Sequence, residues 1–133
     1  MEVYQKKILV IGAGVSGIGA VHLLLEKSAC PILLEPNPKA SRDTLMAKIK
    51  DAGACALYIG ELPAEVKESV EMVVLSPGIS PENALVTEFS QRGIPVLGEF
   101  ELGWRFEKGK VAAVTGTNGK TTTTTLVGQI MDE

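Results

Sequence analysis

The 133-residue sequence predicts a doubly wound α/β fold, a parallel sheet with helices on both faces. Three observations predict it. Short apolar, β-branched runs alternate with helix-length segments, and no hairpin signal joins any two of them. The first run, Lys7–Ile11, breaks at once into Gly12-x-Gly14-x-x-Gly17, and an apolar, helix-compatible stretch follows. A second strand–glycine loop–helix unit appears near the end, Val111–Thr115 and then Gly116-Thr117-Asn118-Gly119-Lys120-Thr121.

The elements follow in order. After the strand Lys7–Ile11, a helix runs from Val15 to Lys27, with Val21, Leu24 and Leu25 near one face. The second strand is Pro31–Glu35, stopped by Pro36-Asn37-Pro38. Ser41 caps a helix over Arg42–Ala52, whose Leu45, Met46 and Ile49 fall at helical spacing, and Gly53 ends it. Cys55–Ile59 is a third strand, and Pro63 stands at the first turn of a short helix to Ser69. Met72–Leu75 is wholly apolar, as a strand covered on both faces should be. Ser80 or Pro81 opens a helix to Arg92, closed by Gly93. Pro95–Leu97 is a short fifth strand and Gly98–Phe106 is helical, with Phe100 and Trp104 expected to pack. Right-handed crossovers put the C-terminal ends of these strands on one edge, where Gly12–Gly17, Glu35–Asn37 and Ser76–Ile79 should meet.

Bulk properties narrow the class. At 45% apolar and 22% charged residues, the chain can bury a core and has room for one compact domain and little more. A net charge of −3 and a pI near 5.3 argue against a nucleic-acid surface. Cys30 and Cys55 are in no metal spacing and read as small buried thiols of a reducing compartment. Met1–Lys7 leads straight into a strand, so no signal peptide is expected, and the apolar runs are too short to span a bilayer. A cytoplasmic protein with no membrane insertion is the expectation. His22, the lone histidine, lies mid-helix with no catalytic partner nearby and reads as a surface or core-edge residue.

Two loops carry chemistry. In Gly12–Gly17 the first glycine serves the tight turn, Gly14 the close approach of a ligand and Gly17 the packing of helix on strand. The helix start offers unpaired N–H groups and a positive dipole end to a phosphate. Taken alone, this loop asks for a nicotinamide or flavin dinucleotide. Glu35 then stands where a carboxylate accepts from ribose, or equally from a ring N–H such as N3 of uracil, or is simply a solvated strand end. Ser76-Pro77-Gly78 offers N–H groups and a hydroxyl to a ligand, or is only a turn before a helix. Glu99 lies close to the same edge. Gly116–Thr121 is more specific: a nest of N–H groups around phosphates, Lys120 toward the β/γ oxygens and the Thr121 hydroxyl on Mg²⁺. It is a shortened loop, because Val114 stands where the general phosphate-loop pattern has its first glycine.

Two such loops in one chain make the sequence resemble the Mur ligases. The matching stretches are Ile11–Gly17, Leu75–Ile79, Gly98–Leu102 and Val114–Thr122, in the family's order and spacing, and the likeness runs the length of the chain. The last is shared with folylpolyglutamate synthetases; the first three favour the branch that adds D-glutamate. The resemblance implies a Rossmann-like domain over residues 1–108 that holds the UDP end of UDP-N-acetylmuramoyl-L-alanine, and the start of a central ATP-binding domain over 109–133. It implies an ATP- and Mg²⁺-dependent ligase of peptidoglycan precursor synthesis that forms an acyl phosphate, which D-glutamate attacks. Residue by residue, Gly14, Val15 and Ser16 match the uridine-side loop, Glu35 and Pro36 the uracil end, and Ser76, Pro77 and Gly78 the second substrate loop. Gly116, Thr117, Asn118, Gly119, Lys120, Thr121 and Thr122 match the ATP loop, with Lys120 on phosphate as the catalytic residue and Thr121 as the metal ligand.

There are departures. Asn37 stands where the family often has arginine, with Lys39 the nearest cation. The sequence stops at Glu133, so it reads as an N-terminal piece that is inactive alone. Val111–Thr115 is then an apolar strand without its neighbours, expected to extend the sheet, pair with another copy or stay poorly ordered. The competing reading is a stand-alone NAD(P)- or FAD-binding module, which leaves Gly116–Thr121 unexplained.

Overall fold

Five strands, β1 (Lys7–Ile11), β2 (Cys30–Glu35), β3 (Ala56–Ile59), β4 (Met72–Leu75) and β5 (Val96–Gly98), form one parallel sheet in the order β3-β2-β1-β4-β5. The computed structural model describes residues 2–106. The helices are α1 (Val15–Glu26), α2 (Arg42–Lys48), α3 (Ala64–Ser69), α4 (Ala84–Gln91) and α5 (Glu99–Phe106), with a 3₁₀ turn at Ala52–Ala54. The order reverses between β1 and β4, which is where this architecture opens a crevice at the strands' C-terminal ends.

Alternate residues of the central strands serve two separate cores. Ile8, Val10, Leu33 and Val74 face α1 and α5 with Val21, Leu24 and Leu102. Leu9, Ile11, Ile32, Leu34, Val73 and Leu75 face the other side, against Val86 and Phe89 of α4. A strand buried on both faces cannot alternate apolar with polar, and hence β1 and β4 read as unbroken apolar runs. Full burial of side chains such as Phe89 and Leu33 is the main source of stability, at roughly 1.5–3 kcal/mol each.

Several elements differ from their expected bounds, each for a local reason. α2 ends at Lys48 instead of Ala52, because Ile49 turns extended (φ −97°, ψ 117°) and the Lys50 N–H donates to His22 Nε2 at 3.0 Å instead of to a helical carbonyl. His22 is thus a core-edge residue, as expected, with the added task of anchoring the end of α2. α4 starts at Ala84, since the Asn83 side chain caps Leu85 N (2.9 Å) and Ser80 Oγ takes Glu82 N (3.1 Å), holding the intervening residues in a turn. Phe100 and Trp104 do not pack: they are 71% and 59% exposed, because Leu102 and Phe106 already occupy the inward face of α5. Cys30 is exposed at the start of β2, and only Cys55 is buried. Burial pushes the Cys55 thiol up from 9.0 to about 11, with a backbone hydrogen bond at Leu33 pulling weakly the other way. The unit expected over 109–133, with Val111–Thr115 and Gly116–Thr122, lies outside the described residues.

Two outcomes follow for stability. A Cβ on Gly17 would overlap the Gly12 carbonyl oxygen and meet Ser76 Oγ at 2.9 Å, whereas one on Gly19, also in α1, meets nothing within 4 Å. Gly17→Ala should therefore lower the urea midpoint sharply or abolish folding, while Gly19→Ala should raise stability by about 0.5–1 kcal/mol. Cys55 favours the folded state while both forms are protonated, below pH 9.0, and this contribution is lost as pH rises toward about 11. Thiol titration should find Cys30 reacting quickly and Cys55 only on unfolding, and Cys55→Ala should flatten the stability loss across that alkaline window.

Candidate functional site

The site is set by strand register. Ile11 of β1 lies opposite Leu34 of β2 and Leu75 of β4, so the next residues, Gly12, Glu35 and Ser76, emerge side by side at the same edge. The sheet's hydrogen bonding continues one step past the strands: Gly12 N donates to Leu34 O (2.8 Å) and Ser76 N to Ile11 O (3.1 Å). The three segments expected to meet do meet.

Gly12 turns with φ +102°, a left-handed conformation that glycine enters without penalty. Its missing Cβ is also required by space, because one would stand 2.9 Å from both Cβ and Oγ of Ser76. Ser76, the only buried polar residue among those described, donates Oγ–H to the Gly12 carbonyl at 3.0 Å. The hydroxyl offered to a ligand by sequence reasoning thus spends its proton inside the protein, and only its lone pairs are left as acceptors. Pro77 and Gly78 stand exposed beyond it, with nothing within 4 Å of where a Gly78 Cβ would be.

Glu35 is half-buried and pins two backbones at once. Oε1 accepts from Ala13 N at 3.1 Å and Oε2 from Asn37 N at 2.8 Å. Each carboxylate oxygen keeps a second lone pair for a ligand N–H or O–H. Ala13 escaped sequence reasoning because its contribution is a backbone N–H, which leaves no side-chain signal. The Asn37 side chain folds onto its own turn, Oδ1 accepting from Lys39 N at 3.0 Å, and Gly60 N closes the turn onto Glu35 O at 2.7 Å.

Above these pins the start of α1 is open. No side chain caps it and its first turn has no acidic residue, so its leading N–H groups and positive dipole end face out. Gly14 is exposed with no atom within 4 Å of its Cβ position, Val15 is 94% exposed, and Ser16 is half-buried beside them. The arrangement suits a phosphate over Gly14–Ser16 with a hydrogen-bonding ring toward Glu35 and Pro36. Next to it, a cleft of about 470 Å³ lies at the C-terminal ends of β4 and β5, lined by Ser76, Pro77, Ile79, Glu99 and Phe100 among others. A cavity of about 350 Å³ lies at the opposite end of the strands, beside Lys7, Cys30 and Cys55, away from every residue the motifs single out. Lys120 and Thr121 lie outside the described residues, and among the described ones no cluster of metal-ligating side chains occurs.

Comparison with known proteins matches residues 6–98 to the N-terminal domain of the MurD-like Mur ligases. UDP-N-acetylmuramoylalanine–D-glutamate ligase from Lachnoclostridium phytofermentans is 44% identical over 131 residues, 98% of this chain and 29% of that protein. The enzyme of that name from Lachnospira eligens is also 44% identical, with the same coverage. The chain thus spans under a third of the length of these curated relatives. Among solved structures, UDP-N-acetylmuramate-alanine ligase from Thermotoga maritima superposes with a TM-score of 0.56 at 22% identity, over 95% of this chain and 29% of that one. The precorrin-2 dehydrogenase SirC does so with a TM-score of 0.54 at 14% identity, over 99% and 67%. At such identities the two structures speak for the fold alone.

The Ser76–Gly12 hydrogen bond has a measurable weight. Ser76→Ala leaves the Gly12 carbonyl buried without its side-chain donor and should cost about 1–3 kcal/mol in urea unfolding, with faster amide exchange across Gly12–Gly17 than elsewhere in the sheet.

Proposed function

Because the chain belongs to the MurD-like Mur ligases through its N-terminal domain, we propose that the crevice of Gly14–Ser16, Glu35–Pro36 and Ser76–Gly78 holds the UDP end of UDP-N-acetylmuramoyl-L-alanine. The observation that carries this is the pinned, uncapped start of α1: Ala13 N on Glu35 and Gly12 O on Ser76 hold the turn rigid while its leading N–H groups stay available to a diphosphate. Preorganised donors of this kind bind an anion without reorganising on contact. Glu35 receives the uracil N3–H, and its negative charge keeps the phosphates toward Gly14 and beyond.

In the whole protein this domain presents the substrate to a ligase that adds D-glutamate in the cytoplasm, at the peptidoglycan precursor stage. ATP would supply the phosphoryl group that turns the alanyl carboxylate into an acyl phosphate, with ADP as the leaving group. The D-glutamate amine would then attack the acyl carbon and lose a proton as the amide forms and inorganic phosphate leaves. The residues Gly116–Thr122 fit that cofactor by their chemistry: backbone N–H groups and the Lys120 ammonium for phosphate, and the Thr121 hydroxyl as the hard oxygen ligand that Mg²⁺ takes. Most of the length of the relatives lies beyond what this chain spans, and the 133 residues alone should show no turnover of Mg²⁺-ATP.

The alternative, a nicotinamide- or flavin-binding module, uses the same glycine turn and differs in what Glu35 meets. Titration with UDP should shift the amide signals of Val15, Ser16, Glu35 and Gly78, and NADH should leave them in place. Tight NADH binding with no response to UDP overturns the reading.

A further inference from the structure

The way β3 ends decides where the Glu35 carboxylate goes. β2 and β3 pair in parallel register, with Leu34 opposite Tyr58 and Glu35 opposite Ile59. In a parallel ladder, alternate residues of a strand bond a given neighbour through both N–H and C=O. Gly60 N donates to Glu35 O at 2.7 Å, so the next rungs would run from Asn37 N to Gly60 O and from Leu62 N to Asn37 O. Neither rung is present. Asn37 N donates instead to Glu35 Oε2 at 2.8 Å, and the Asn37 carbonyl accepts from Ala40 N at 3.1 Å.

The ladder stops because the chain turns. Gly60 has φ +86°, a left-handed conformation that takes the following residues out of line with Pro36 and Asn37. Space does not forbid a side chain there. Among the described residues a Cβ on Gly60 would meet Pro38 at 3.6 and 3.8 Å, which are ordinary contact distances. The backbone conformation alone calls for glycine. Its effect reaches the crevice through Glu35, which is tied at both ends: its carbonyl accepts from Gly60 N, and its Oε1 from Ala13 N at 3.1 Å. The amide released by the broken ladder then gives Oε2 its partner. With one rung more, Asn37 N would be spent on Gly60 O, and Oε2 would lose the donor that folds the carboxylate back over the strand end. We propose that Gly60 is a positioning residue of the nucleotide crevice: its left-handed turn ends the β2–β3 ladder one rung early and so sets the Glu35 carboxylate between Ala13 and Asn37. Gly60 itself touches no ligand. Its consequence for binding rests on the assignment of the crevice to UDP, whereas its hold on Glu35 does not.

Gly93 supplies the control, with φ +79° and no atom within 4 Å of its Cβ position, just before β5 and so at the opposite end of the strands. In the full 133-residue protein, Gly60→Val should speed amide exchange at Ala13 and Asn37 about tenfold and weaken UDP binding about tenfold. Inorganic pyrophosphate, which carries no base, should lose at most about twofold. Asparagine enters the left-handed region more readily than other side chains, so Gly60→Asn should restore both amides and the affinity for UDP. Gly93→Val should lower the urea midpoint and leave UDP binding and the two amides unchanged. Unaltered exchange at Ala13 and Asn37 in Gly60→Val overturns the proposal. An equal loss of UDP affinity in Gly93→Val also overturns it, since the effect is then one of stability. If Gly60→Val leaves the amides of β1 and β4 unprotected, Gly60→Ala, which has room beside Pro38, takes its place with the same expected directions. The two readings fail separately. An unmodified protein that ignores UDP fails the substrate assignment alone, because exchange at Ala13 and Asn37 still decides the positioning, and UDP binding with unaltered exchange in Gly60→Val fails the positioning alone.

Discussion

The close contact between the Gly12 turn and Ser76 is the constraint on which the rest of the site depends. Three conditions converge there: a φ of +102° at Gly12, no room for a Cβ at Gly12 or Gly17, and a buried hydroxyl satisfied by the Gly12 carbonyl. Together they bring the first turn of α1 down onto the ends of β1 and β4. If that contact opened, α1 would lift from the sheet, and its N–H groups would no longer point at the place where Glu35 and Ser76 converge.

The two-sided core makes such precision possible. β1 and β4 lie between an α1–α5 layer and an α3–α4 layer, with Leu9, Val10, Val73 and Val74 fully buried. Close-packed interiors resist small displacements, so the strand ends form a stiff base for the loops that leave them. Polar contacts finish the job locally. Glu35 joins the first and second crossovers, Ser76 joins the first and fourth strands, and no buried side-chain polar atom among the described residues lacks a partner. Rigidity and openness thus belong to different parts of one loop: Gly12 and Ala13 are held, while Gly14 and Val15 are free to meet a ligand.

The end of the N-terminal domain has a different character. Between residues 6 and 98, Val15 at the open start of α1 is the only large apolar side chain that stands exposed among the described residues; on α5, Phe100 and Trp104 both turn outward. An ion pair between Glu101 and Arg105 contributes little in water and cannot account for a helix carrying Phe100 and Trp104 on its open side.

Local chemistry was enough to place most of the architecture. Runs such as Lys7–Ile11 and Met72–Leu75, the breakers at Pro36–Pro38 and Gly93, and the Gly12-x-Gly14-x-x-Gly17 spacing act over a few residues, so strands, alternation and the meeting of three loops at one edge were all legible. Membership of the Mur ligases was legible for the same reason, being carried by short motifs. Contacts distant in sequence were not. The end of α2 depends on His22, 28 positions away from Lys50. The commitment of the Ser76 proton to Gly12 spans 64 positions, and the pinning of Ala13 by Glu35 spans 22. The outward face of Phe100 and Trp104 likewise depended on which side of α5 the sheet had already claimed with Leu102. Periodicity identifies an apolar pair on a helix, but only the packed structure decides whether that pair is core or surface, because the answer lies in the neighbours and not in the helix.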